Sequence, residues 1–376
     1  MTRYCDWIVD RALPLWASRG FDAGAGRFRE RLTLSGEPID VPHRAMVQAR
    51  QIYVFAHAAE LGWFPQGGPL AEVAMASLRR DFCAEASDQA SFAFSIHPAG
   101  GRVASPVRDA YAHAFVLFSI AALYRLNGDH RLLDLADRIV NFIDMDLADR
   151  THGGLHDCVP AASGSKRQNP HMHLLEAYIF LEKAAPGHGY IERAADLVAL
   201  FERCLFKADR QVLLEHFSPD WSAHPDPART TTVEPGHHFE WVWLLGEYTR
   251  LTGIATAHWT GPLFDMARRH GLSDTGLIFD ELAAADRSVL KNAHRLWPHT
   301  EAIKAAATRH ADGDAGAAAM AGDMTAILFD RFLDRPFPGG WIDHIDAGGA
   351  PLVDHVPASS LYHLFLAATV AQTIHG

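Results

Sequence analysis

Six polar side chains stand near the start of apolar, helix-periodic stretches. They are Arg50 in RAMVQARQIY, His113 in RDAYAHAFVLF, His173 in NPHMHLLEAYIF, His237 in EPGHHFEWVW, Glu301 in RLWPHTEAI and His363 in PASSLYHLFLA. Their intervals are 63, 60, 64, 64 and 62 residues. Histidine is the side chain whose unperturbed charge change falls near neutral pH, so four of them with a glutamate and an arginine suit general acid and base work. His173 with Glu176, and His237 with Glu240, are i,i+3 pairs, so each carboxylate is expected to orient or charge-stabilise its imidazole. Two His-x-x-Glu pairs are also what a dinuclear metal site uses. Against a metal stand the scattered cysteines, the lack of an H-E-x-x-H motif and the cationic Arg50 in the set. The expectation is an acid/base site with neither metal nor cofactor. Tyr53, Phe115, Trp241 and Trp297 lie beside these residues; such aromatics fill cores, and they also suit the apolar faces of a sugar ring.

Residues so far apart meet only if the fold repeats. Gly-rich or polar turns followed by an apolar residue recur six times, with reference positions Phe28, Phe94, Leu155, Glu215, Phe279 and Trp341, about 62 residues apart. Between them run segments with helical spacing, such as Val116, Ile120, Leu123 and Leu126. Each period holds two helices, and strand-like alternation is confined to a few residues at the turns. Twelve helices in six hairpins, with the N-terminal helix in the first pair, predict an all-α closed toroid, an (α/α)6 barrel with short β-like turns at one end. The second helices are the more apolar set and are assigned to the inner ring. One phase of the repeat then corresponds to one level of the barrel, and residues 1–376 form a single domain.

Composition narrows the partners. With 48% hydrophobic and 21% charged residues the chain is an ordinary globular protein. A formal charge of −11 without a Lys/Arg run argues against nucleic acid. Cys5, Cys83, Cys158 and Cys204 read as reduced and structural. No apolar run approaches a membrane span and the first residues lack a secretory core, so a cytoplasmic location without membrane contact is expected, as monomer or homodimer. The small, polar stretch AASGSKRQN at 161–169 is the lid candidate.

RAMVQAR, NPHMHLLEA, EPGHHFEWVWLL, LWPHTEAIKA and VPASSLYHLF resemble the motifs of the N-acylglucosamine 2-epimerase superfamily over essentially the whole chain. The resemblance implies an (α/α)6 barrel and, from GGWIDHIDAGGAPLVDHVPASSLYHLFLA, the aldose–ketose isomerase branch that interconverts mannose and fructose, with lyxose and xylulose as relatives of that pair. It carries the two acid/base roles to His237 and His363. Sugar-binding or supporting roles go to Arg50, Asn169, His173, Glu240, Trp297 and Glu301, and to His113. His238 is expected to be a packing residue. The alternatives are a 2-epimerase acting on mannose, glucose, cellobiose or an N-acylated sugar, an isomerase of a phosphorylated or sulfonated sugar, and a glycoside hydrolase of the same fold.

Overall fold

The computed structural model describes residues 2–161 and 164–374. Six inner helices, Ala45–Glu60, Ala110–Asn127, Asn169–Ala184, Pro235–Thr252, Trp297–Ala311 and Leu361–Ala371, form a ring in which each packs on the next and the last packs on the first. They are the second helices of the sequence periods, and their sides are buried almost all round, as an apolar helix enclosed by others must be. The outer helices Gly67–Phe82, Arg131–Phe142, Tyr190–Leu200, Ala257–His270 and Ala317–Ile327 bury one stripe only. In Arg131–Phe142 it is Leu132, Leu135, Ala136, Ile139 and Val140, with Asp134 facing out. Pro170, Pro235 and Pro298 occupy the first turn of three inner helices, where a missing N–H costs nothing. Gly128 and Gly253 end two of them in the left-handed conformation, at φ of 68° and 75°.

The closed six-hairpin barrel follows the sequence expectation, but its pairing is shifted by one helix. Each of the first five inner helices packs against the outer helix that follows it. The N-terminal helix, Arg3–Trp7 continuing through Ile8–Ala12 into Leu13–Ser18, packs on the last inner helix rather than on the first. Tyr4 Oη donates to the Leu364 carbonyl at 2.9 Å and Cys5 Sγ to that of Ala368 at 3.5 Å.

At one end, short antiparallel ribbons connect each repeat to its successor. His43–Arg44 pairs with Ser95–Ile96, Arg108–Asp109 with Cys158–Val159, and Lys166–Arg167 with His216–Phe217. Thr232–Val233 pairs with Glu281–Ala283, and Ala293–Arg295 with His344–Asp346. His355–Pro357 then returns to Arg31–Thr33 and completes the circle. Of the lid candidate 161–169, Ala162 and Ser163 lie outside the described residues, whereas Lys166 is held by Asp149 at 2.6 Å and Arg167 by Asp157 at 2.6 Å. Among the described residues no helix is long and apolar enough to cross a membrane.

Candidate active site

The inner helices are anchored to the turns by one repeated device. Nε2 of His113, His171, His238 and His299 accepts the amide N–H of Phe92, Leu155, Leu213 and Ile278, at 3.0, 2.8, 3.1 and 3.1 Å. Nδ1 of each donates to the carbonyl four residues earlier, at 2.7 to 3.2 Å. In the first repeat Gln48 does the same work, its Oε1 accepting from Phe28 N at 2.8 Å. The rings are neutral, since burial pushes all four histidines down to about 4. His113 is therefore one of these staples and does not line the cavity, against the sequence expectation: both its nitrogens are consumed by backbone. His238 is a packing residue, as expected. The stapled turn residues also correct the turn phases, from Phe94, Glu215 and Phe279 to Phe92, Leu213 and Ile278.

Two residues beyond each staple, the inner helices bring Arg50, Phe115, His173, Glu240 and Glu301 to one level, and His363 joins them from the last helix. Arg50 Cζ lies 4.2 Å over the Phe115 ring, and that ring is 4.6 Å from His173. His173 Nδ1 is 3.9 Å from Glu240, and Glu301 Oε1 accepts from His363 Nδ1 at 2.8 Å. A cavity of about 410 Å³ opens over this level. Of the sequence candidates, Arg50, Asn169, His173, His237, Glu240, Trp297 and His363 line it. Glu301 does not: it is fully buried behind His363. Tyr111, Glu234, Arg295, Asp343, His344 and Ser360 also reach the cavity and were not singled out as site residues by the sequence.

His237 does not pair with Glu240, which the i,i+3 spacing suggests and which acts on it only as a lesser charge; its Nδ1 lies 2.9 Å from Glu215 Oε2 and 3.6 Å from Glu234. A second repeated device explains why. The turn acid two residues after the stapled position, Glu30, Asp157, Glu215 or Asp280, accepts the N–H of Arg44, Arg167, Glu234 or Arg295 at 3.0 to 3.4 Å. In three repeats that donor residue is an arginine whose guanidinium faces the acid. In the fourth it is Glu234, so Glu215 is left to His237. Burial alone would lower the His237 pKa, but the Glu215 and Glu234 carboxylates outweigh it and raise it to about 10. Burial raises Glu234 to about 7, with Glu215 adding to the rise and His237 opposing it. Gln168 fixes the pair, donating to Glu215 at 3.0 Å while its carbonyl accepts from Trp241 Nε1 at 2.8 Å.

The opposite pattern holds at His363. Burial, then the nearby charges of Arg50 and Lys304, hold its pKa well below the ordinary value. With Nδ1 committed to Glu301, Nε2 is left for the cavity. Trp297 lies between the two histidines, its ring 5.0 Å from His237 and 5.7 Å from His363. The expected His173–Glu176 pair is present at 3.0 Å, and Tyr362 Oη donates to the other Glu176 oxygen. Burial, followed by repulsion from Glu301, raises the Glu240 carboxyl well above its usual range, and its Oε1 has no protein partner. Asn169 Oδ1 is likewise unpaired. Arg50 donates to the Ser359 carbonyl at 3.0 Å and to Tyr111 Oη.

Imidazole and carboxylate atoms approach within 4.8 Å in three sets: His173, Glu176 and Glu240; Glu215, Glu234 and His237; Glu240, Glu301 and His363. In each set the histidine Nδ1 already holds a carboxylate. What remains on the cavity side suits proton exchange with a polyol: His237 held toward the cationic form, His173 and His363 held toward the neutral one, Arg50, and the unpaired oxygens of Asn169 and Glu240.

Residues 26–367 match the N-acylglucosamine 2-epimerase (GlcNAc 2-epimerase) family. The chain is 32% identical over 377 residues to a mannose-6-phosphate isomerase of Rhizobium meliloti (strain 1021), covering 96% of this chain and 94% of the relative. In fold it is similar to the crystal structure of a D-mannose isomerase, at a TM-score of 0.87 and 18% identity over 99% of this chain and 98% of the other. A cellobiose 2-epimerase from Spirochaeta thermophila DSM 6192 gives a TM-score of 0.86 at 24% identity over 99% and 96%. The chain belongs to the N-acylglucosamine 2-epimerase family of sugar epimerases and isomerases.

Proposed function

We propose, with family membership as the premise, that the protein is an aldose–ketose isomerase interconverting D-mannose and D-fructose through ring opening and a cis-enediol. The observation that carries the proposal is the pair of histidines flanking Trp297, His237 against the carboxylates of Glu215 and Glu234, which raise its pKa, and His363 on Glu301 but near Arg50 and Lys304, its pKa lowered by burial and by those charges. Ring opening needs a donor to the ring oxygen and an acceptor for the anomeric proton. His363 Nε2 then takes the proton from C2, which the adjacent carbonyl acidifies, while His237 donates to O1. The enediol returns its O2 proton to His237, and His363 delivers the carbon proton to C1, giving the ketose. Arg50, His173 and the carboxyl of Glu240 stabilise the negative charge that develops on the enediolate oxygens. Asn169 and Trp297 hold the sugar, and neither a metal nor a cofactor takes part.

A phosphorylated aldose is the second reading, favoured by the name of the 32% identical relative. The groups that could meet a phosphate at the cavity rim, Arg295 and His344, both face Asp280, at 4.0 and 2.7 Å. Both are already engaged by that carboxylate, which favours the neutral sugar.

Incubation with mannose and separately with mannose 6-phosphate in D2O, with and without chelator, tests these readings by NMR. Fructose deuterated at C1 supports isomerisation of the free sugar, and fructose 6-phosphate alone moves the assignment to the second reading. Glucose deuterated at C2 would replace isomerisation by epimerisation. Loss of turnover with chelator would overturn the metal-free chemistry.

A further inference from the structure

The most deeply placed cation of the barrel has no part in the proton transfers described above. Lys304, one turn beyond Glu301 on the helix Trp297–Ala311, has no solvent exposure and does not line the cavity. Its ammonium lies 2.6 Å from Glu301 Oε2 and 4.0 Å from the centre of the Trp243 ring. The other oxygen of Glu301 faces His363 Nδ1 at 2.8 Å. One buried carboxylate thus bridges a buried ammonium and an imidazole that lines the cavity. An apolar side chain could fill the Lys304 position at no cost in desolvation, so the charge there calls for a use.

We propose that Lys304 is a positioning residue that keeps Glu301 an anion and His363 a neutral, Nδ1-protonated base. The consequence for turnover rests on the acid/base function proposed above. The surroundings make the carboxylate hard to keep. Glu301 shares the barrel floor with Glu240 on the adjacent inner helix and Glu176 on the helix beyond it, all three fully or almost fully buried. Tyr4, His173, His237, Tyr362 and His363 are the other titratable groups around it, and Arg50 acts on His363. Burial pushes the Glu301 carboxyl up, and Lys304 is the foremost opposing influence. With Glu301 ionised, its Oε1 accepts the Nδ1–H and selects the tautomer whose Nε2 lone pair points to the cavity. The same positive charge also resists protonation of that Nε2. Removing it raises the proton affinity of the Glu301–His363 pair wherever the proton settles, because one positive charge fewer opposes it. The base is then occupied at a pH where the native enzyme has it free.

The test compares Lys304→Met, Glu301→Gln and the double variant with the wild type, with circular dichroism confirming the fold. The expected result for Lys304→Met is an acid limb of kcat/KM moved up by at least one pH unit. The kcat at neutral pH falls at least tenfold and recovers at high pH, while KM changes less than threefold. A uniform fall without a shifted limb, or an unchanged profile, overturns the proposal. If Lys304→Met does not fold, the double variant, which leaves no unpaired buried charge, is compared with Glu301→Gln. An acid limb higher in the double variant than in Glu301→Gln supports the action of the Lys304 charge on His363; coincident pH profiles in those two refute it. The ring-nitrogen shifts of His363, assigned by their absence in His363→Asn, follow the same titration without any sugar. A protein inert to every aldose whose His363 titration still rises in Lys304→Met would sink the proposed function and keep Lys304 in its role.

Discussion

His171 and His173 stand two residues apart on one helix and do opposite work. His171 gives one ring nitrogen to the amide of Leu155 and the other to the carbonyl of Arg167, so nothing is left for a ligand. His173 gives Nδ1 to Glu176 and keeps its other edge for the cavity. The same contrast recurs between His238 and the level of Glu240, and between His299 and the level of Glu301. Both layers are buried, so burial does not separate structural from chemical histidines. The identity of the Nδ1 partner does: a backbone carbonyl in one layer, a carboxylate in the other. A carboxylate can stabilise a proton that arrives on the ring, whereas the backbone partners of a staple hold one neutral tautomer only.

The largest effect expected from breaking this contrast is in the cavity layer. His363→Asn should reduce kcat by roughly 10²–10⁴, the range of general acid/base catalysis, with little change in Tm. His113→Ala should do the reverse: a loss of about 2–4 kcal/mol in chemical denaturation, with specific activity of the folded fraction within about threefold of wild type. Activity lost in proportion to folding in both variants would erase the distinction.

The next effect is on acid stability. The staple histidines have folded pKa values of about 4, below the ordinary value of 6.5. Their contribution is present in full above about pH 6.5 and is lost as pH falls toward 4, at up to about 1.4 kcal/mol per pH unit for each ring. Gln48 shows that an amide serves the same staple without titrating. His113→Gln should therefore fold as well as wild type at pH 7.5 and better at pH 5 in urea titrations. A parallel loss of stability in the two proteins would deny the titration.

Smaller shifts sharpen the difference between the two cavity histidines. Glu215→Gln removes the carboxylate that raises His237 toward 10, so the alkaline limb of kcat/KM should move down by a pH unit or more. An unmoved limb would assign the limb to another group. Trp297→Phe keeps a ring between the histidines and should raise KM only several-fold, about 1 kcal/mol of aromatic contact.

The barrel, its inner ring and most of the cavity residues were legible because the 62-residue period dominates the apolar pattern, and the resemblance supplied the rest. His113 was misplaced because Phe115, the residue that holds its place at the cavity level, is apolar, and attention to polar side chains passed over it. His237 does line the cavity, but it lies three residues out of phase with Glu240, and its carboxylate partner is Glu215 from the turn. The signal for Glu215 was present in the turns. Glu30, Asp157, Glu215 and Asp280 recur at one turn position, and only the repeat of Glu215 lacks an arginine at the entry to its inner helix. Lys304 could not be read from sequence, since at helical spacing it resembles any polar residue on a solvated face. That it is buried follows only from the closure of the ring.

The ribbons at the cavity end are six separate small sheets that tie each repeat to the next, with His355–Pro357 returning to Arg31–Thr33. Such a circle acts as a hoop: widening the mouth at one junction pulls on the pairings of the others, so the repeats resist opening together. The mouth of the cavity is thereby braced by backbone, and bulk at the entrance is opposed by the whole ring rather than by one side chain.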